Sequence, residues 1–219
     1  MADCNVIIFD MDGTVLDSAP GIVESLTYAI RQLGHDFIPD AETQKLFGPP
    51  MNQVVAELLA PFADDRIDEC VHLYRSHYRE QGLYQSLPYA GITRALSYFS
   101  ERNYSLFIAT SKRQEFAEKM LIHNGLFDSF QAIFGTSPDG KLDDKADLVK
   151  TLLASLAMPP SGVFMIGDKR DDMQAARRNA VIPVGALWGY GAVDELKNSG
   201  AHALADTPWA LPGVVDDLL

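Results

Sequence analysis

The sequence predicts an α/β protein, a parallel β-sheet flanked by helices, with a helical segment inserted after the first strand. Three observations carry that prediction. Short apolar runs recur at 6–9, 105–110, 132–135, 163–167 and 182–187. The stretches between them repeat apolar residues at helical spacing, and strands alternating with amphipathic helices read as βαβ units. Residues 15–85 break the alternation, with several helical patterns and no convincing strand. A chain of 219 residues has room for one large domain, or for one domain carrying a smaller insertion.

In chain order, "VIIF" (6–9) is a continuous apolar run, as expected of a strand buried on both faces. The insertion holds three helical patterns, at 21–35, 50–62 and 66–82. Its flanks, "TVLDSAPG" (14–21) and "SLPYAG" (86–91), have the Ser, Pro and Gly content of hinges. The second run, "SLFIAT", leads into "QEFAEKMLIHNG" (114–125), which sets Phe116, Met120 and Leu121 on one face and closes on a glycine suited to a C-cap. After "AIFG" (132–135), the stretch 143–158 carries Leu148, Leu152, Leu153 and Leu156, with acids at its start and prolines beyond its end. "VFMIG" (163–167) and "IPVGAL" (182–187) complete the strands. An insertion after the first strand lies above the C-terminal ends of the sheet, where open α/β folds bind ligands.

With 18 basic and 30 acidic residues the net charge is −12, which disfavours nucleic acid and anionic membrane as partners. An anionic substrate then needs a local cationic pocket. Cys4 and Cys70 make no CxxC and read as reduced thiols of a cytoplasmic protein. The expectation is a chain with no targeting leader and no membrane span.

Chemistry gathers at the strand ends. Asp10 and Asp12 follow the first run, in "FDMDGT". A turn accounts for Asp12 and Gly13 but leaves Asp10 stranded beside a buried strand. Two neighbouring carboxylates repel, so they call for a proton, strong donors or a cation, and Mg²⁺ suits oxygen ligands. In "VFMIGDKRDD" (163–172), Asp168 holds the corresponding position after its own strand. Asp171 and Asp172 also suit the first turn of the following helix. Thr110 and Ser111 end the second run, where a hydroxyl and an amide can hold a phosphoryl oxygen, and Lys145 opens the helix "ADLVKTLL". Carboxylates, hydroxyl and ammonium map to one sheet edge from separate βα units.

The ordered set "DMDGT", "ATS", Lys145 and "GDKRDD" closely resembles the haloacid dehalogenase superfamily of phosphohydrolases, over essentially the whole chain. Within it, the sequence looks most like the phosphoglycolate phosphatase group, some of whose relatives are 5′-nucleotidases or pyrophosphatases. The resemblance implies a Rossmann-like three-layer core over 1–14 and 86–219 and an α-helical cap over 15–85. It implies Asp10 as nucleophile, Asp12 as general acid and base, and Lys145 as the cation that orients Asp10. Mg²⁺ would be held by Asp10, the backbone carbonyl of Asp12 and Asp168, with Asp172 supporting. Gly13, Thr110 and Ser111 would bind phosphate, and the substrate would be a small-molecule phosphate ester. The cap loop "FGPPMNQ", through Gly48, Pro49 and Pro50, would contribute to substrate choice. Monomer and dimer both stay open.

Ala146 stands where many relatives have proline after the motif lysine, and Lys141 lies four residues before Lys145. "KLDDKADLV" (141–149) together with "LWGYG" (187–191) looks nearer to a nucleotidase-like branch, although Trp188 and Tyr190 on their own read as packing. Lys45 and Arg113 read as surface cations, with a substrate anion as the alternative. His72 and His77, five apart, read as solvated or half-buried. A phospho-accepting receiver needs neither Asp12 nor a lid, and a carbon–halogen hydrolase needs no Asp12. A sugar-phosphate mutase shares these motifs.

Overall fold

The structure is a computed structural model that describes residues 5–40, 43–47, 49–137, 142–156, 160 and 162–219. The chain divides into two compact units, Met1–Asp17 with Pro88–Leu219, and Ser18–Leu87. It runs through β1 (Val6–Phe9), β2 (Leu16–Asp17), α1 (Ala19–Gln32), α2 (Met51–Leu59) and α3 (Ile67–Glu80). Then follow β3 (Leu87–Pro88), α4 (Ile92–Glu101), β4 (Ser105–Arg113), α5 (Gln114–His123) and β5 (Ala132–Thr136). The remainder is α6 (Lys145–Leu156), β6 (Val163–Gly167), α7 (Arg170–Arg178), β7 (Ile182–Ala186), α8 (Val193–Asn198), β8 (Ala203–Ala205) and α9 (Leu211–Asp216).

The larger unit is built on a six-stranded sheet in the order β5-β4-β1-β6-β7-β8. Every neighbouring pair is parallel. All four residues of β1 and all five of β6 are buried, which is why both read as unbroken apolar runs. Val6, Ile8, Phe107, Ala109, Val163 and Met165 share one sheet face, where they meet Leu148, Val149, Leu152 and Leu153 of α6 and Ala175 and Ala176 of α7. On the other face Phe9 meets the rings of Phe99 and Phe130 at 6.4 and 6.1 Å. β1 lies between β4 and β6, so strand order runs outward from it in both directions. The carboxyl end of β1 is therefore the switch point, where a parallel sheet leaves a crevice.

The smaller unit is helical. α1 buries Ile22, Leu26, Ala29 and Ile30, and α3 buries Cys70, Val71, Tyr74 and Tyr78. His77 shares a hydrogen bond with Ser25 at 3.0 Å and stacks on Tyr28, while His72 is exposed.

Candidate active site

Just beyond β1 the chain turns tightly. The carbonyl of Met11 accepts amides from Thr14, Val15 and Leu16 at 3.3, 2.9 and 2.9 Å. Met11 is fully buried, so its side chain plugs the core while Asp10 and Asp12 flank it at the strand's end. Gly13 takes φ +84°, and a Cβ there would lie 2.4 Å from Asp168 Oδ2. Only glycine combines that left-handed backbone with so close an approach to a carboxylate.

Asp10, Asp168 and Asp172 each offer an oxygen, and these oxygens lie within 4.8 Å of one another in a buried cluster. Lys145 Nζ donates to Asp10 Oδ1 at 2.7 Å and to Asp172 Oδ1 at 2.6 Å. Packing of α6 against the sheet plants Lys145 at the helix's first residue, the end whose dipole disfavours a cation. The two carboxylates more than offset that. Burial pulls the Lys145 ammonium down, but Asp10 and Asp172 beside it hold it well above its ordinary value. Asp172 Oδ2 accepts the Lys169 amide at 2.9 Å, so this residue also caps α7. Asp168 is held by neutral donors, the Thr14 hydroxyl at 3.2 Å and the Tyr190 amide at 2.7 Å.

Three buried carboxylates around one ammonium leave excess negative charge. Burial, reinforced by the Asp172 charge, pushes Asp168 up to about 7. Burial likewise raises Asp10 well above the usual carboxylate range, against the pull of Lys145. A hard divalent cation is what such an all-oxygen, under-neutralised cluster accommodates, and the residues fit Mg²⁺.

Thr110 is buried on β4, two residues past Ile108, which pairs with Phe9. Its hydroxyl accepts the Lys112 amide at 3.2 Å, while Ser111 is exposed. Lys112 Nζ reaches Asp12 Oδ2 at 3.3 Å, a contact the sequence reading missed. The segment after β7, whose Trp188 and Tyr190 read as packing in the sequence, reaches the site through specific hydrogen bonds. Trp188 Nε1 donates to the Thr14 carbonyl at 2.9 Å, and the Tyr190 hydroxyl meets Asp17 Oδ1 at 3.1 Å. A Cβ at Gly189 would stand 2.3 Å from the Gly13 carbonyl, and one at Gly191 would stand 1.7 Å from that of Asp168. "WGYG" thus forms a strap under both acidic loops. The local cue was a pair of glycines flanking an aromatic residue just past a strand.

Asp10, Asp168, Asp172 and Lys145 are thus in direct contact or adjacent, Gly13 abuts Asp168, and Asp12 pairs with Lys112 of β4. Gly48, Lys141, Cys4 and the Lys45 side chain lie outside the described residues. Pro49 and Pro50 are exposed in the helical unit, where the Pro50 carbonyl accepts the Gln53 amide at 2.9 Å and starts α2.

Comparison with known proteins gives the same picture. Residues 7–186 match the family of haloacid dehalogenase-like hydrolases. A 5′-nucleotidase from Pseudomonas aeruginosa is 35% identical over 201 residues, covering 91% of this chain and 90% of the relative. A phosphoglycolate phosphatase from Aquifex aeolicus is 30% identical over 187 residues, 84% of this chain and 85% of that protein. A haloacid dehalogenase-like hydrolase structure from Streptococcus pneumoniae aligns with a TM-score of 0.89 at 32% identity, covering 97% of this chain and 99% of that one. With the paired aspartates, the lysine and the distal acidic loop assembled on the sheet these relatives share, the chain belongs to the haloacid dehalogenase-like hydrolases.

Proposed function

We propose that the protein is a Mg²⁺-dependent phosphatase that hydrolyses a small-molecule phosphate monoester through an aspartyl-phosphate on Asp10. The observation that carries this is the buried Asp10–Lys145–Asp172 ion-pair chain beside Asp168, which holds a carboxylate nucleophile at the switch point with an excess of negative charge suited to a divalent cation. Asp10, the Asp12 carbonyl and Asp168 would hold Mg²⁺, with Asp172 behind them. When bound, Mg²⁺ neutralises charge on the transferring phosphoryl group.

Lys145 orients the Asp10 carboxylate, which attacks phosphorus as the phosphorus–oxygen bond to the leaving group breaks. Asp12 gives its proton to the departing oxygen. It then takes a proton from the water that attacks the aspartyl-phosphate, freeing phosphate and restoring Asp10. Among the described residues, Asp12 Oδ1 meets no hydrogen-bond partner. Thr110 and the backbone around Gly13 and Ser111 serve the phosphoryl oxygens.

Phosphoglycolate and nucleoside 5′-monophosphates are the substrates to weigh first. The first is supported by resemblance to the phosphoglycolate phosphatase group, including 30% identity to one such protein. The second is favoured by the 35% identity to a 5′-nucleotidase over nine-tenths of both chains. The helical unit would act as a cap, with Gly48, Pro49 and Pro50 contributing to substrate choice.

The test is phosphate release across phosphoglycolate, nucleoside monophosphates, sugar phosphates and pyrophosphate, with Mg²⁺ and in chelator. We expect one class to dominate and Asp10→Asn to lose about 10³-fold or more in kcat while keeping its fold. Activity of that variant within tenfold of wild type, or full activity in chelator, would overturn the mechanism.

A further inference from the structure

We propose that Lys112 is a positioning residue for the proton-transferring carboxylate: its ammonium grips Asp12 by Oδ2 and thereby fixes the direction of that side chain. The inference rests on the reading of Asp12 as general acid and base.

Strand geometry puts the lysine there. β4 and β5 keep simple register through Ala109↔Phe134, but the next pair is Arg113↔Thr136. β4 thus spends four steps where β5 spends two, and 110–112 form a bulge. Bulges bend a strand and re-aim its side chains, often beside active sites. Gly135 accommodates this one, since a Cβ there would lie 2.7 Å from the Lys112 carbonyl. The bulge is pinned from inside by the Lys112 amide on the Thr110 hydroxyl.

The outcome is a lysine side chain only 9% exposed, with Nζ 3.3 Å from Asp12 Oδ2. The two oxygens of Asp12 are therefore unlike. Oδ2 faces an ammonium, while Oδ1 is buried with no hydrogen-bond partner among the described residues. A carboxylate that must give a proton and then take one has to be held in one orientation. A charge-assisted contact from Lys112 restrains it. Lys145 cannot do this, being engaged by Asp10 and Asp172.

Two esters separate this role from a structural one. The leaving group of phenyl phosphate needs a proton, while that of 2,4-dinitrophenyl phosphate departs without one. kcat/KM reports only the steps through leaving-group departure. With the full-length enzyme in Mg²⁺, Lys112→Met should lower kcat/KM for phenyl phosphate roughly tenfold or more and for the dinitrophenyl ester less than about threefold. The loss should fall on kcat, with KM little changed, and Lys112→Arg should restore much of it. In the Asp12→Asn background, Lys112→Met should add less than about twofold, because its action passes through the missing carboxylate. Melting curves show whether each variant is folded.

Equal losses on both esters, no loss on either, or an undiminished effect in the Asp12→Asn background would overturn the role of Lys112. A different result would overturn the reading beneath it: Asp12→Asn slowing both esters alike, with the wild type active on both.

Discussion

Asp168 is fully buried and held by two neutral donors, the Thr14 hydroxyl and the Tyr190 amide. Burial raises its carboxyl from 3.8 to about 7. The sign of the consequence follows. A folded-state value above the unfolded one stabilises the protein fully below the unfolded value, and that contribution is lost as pH rises through the folded value. In chelator, therefore, wild type should lose stability relative to Asp168→Asn as pH goes from about 4 to about 7, by at most about 1.4 kcal/mol per pH unit. Added Mg²⁺ should stabilise wild type strongly at pH 8 and weakly at pH 5, since it engages the ionised form. Thermal melts of both proteins across that range check this, and a gap that stays flat with pH would place the titration elsewhere. At this scale Asp10 and Asp168 were legible because each ends an apolar run. Lys145 was legible because it opens its helix within the ordered set of motifs. Lys112 was not: its direction comes from a bulge, and a bulge exists only relative to the partner strand.

Between β7 and α8, the segment Trp188–Gly191 ties together what the other elements deliver. Indole and amide donors reach Thr14 and Asp168, and two glycines lie against the backbone of Gly13 and Asp168. Side-chain identity at 189 and 191 thus sets how closely the strap can approach the acidic loops. Gly189→Ala would put a methyl 2.4 Å from the Asp168 Cβ and push that carboxylate out of place. Disturbing the surroundings of a metal ligand commonly costs about 10–100-fold in affinity. Calorimetric titration with Mg²⁺ should show a weakening of that order while the variant keeps its circular dichroism, and unchanged affinity would show that the strap yields freely. The helical and strand patterns that supply most elements were readable by periodicity. Ala203–Ala205 was not, being a three-residue edge strand with no period to detect. Trp188 and Tyr190 read only as packing for a different reason, since the strap's main contacts use backbone and indole N–H groups, which composition does not mark.

At the scale of the whole molecule, the described polar groups assembled around Asp10 belong to Met1–Asp17 and Pro88–Leu219, and Ser18–Leu87 forms a compact unit of its own with buried apolar residues on α1 and α3. A ligand stabilises what folds to bind it, so Mg²⁺ acts on the first unit alone if the two unfold independently. At a hundred times its dissociation constant, the ion adds about 2.7 kcal/mol. For a unit of roughly 150 residues each kcal/mol raises the midpoint by about 2–4 °C, giving a shift of about 5–10 °C. Scanning calorimetry should therefore resolve two transitions, one that climbs with Mg²⁺ and one that stays within about a degree. Asp168→Asn should abolish the climb without moving the second transition, which separates metal linkage from a general salt effect. A single transition that rises as a whole would mean that both units melt cooperatively. The chain's two passages at Asp17 and Pro88 would then transmit stability between them, and substitutions in the helical core should weaken Mg²⁺ protection of the catalytic sheet.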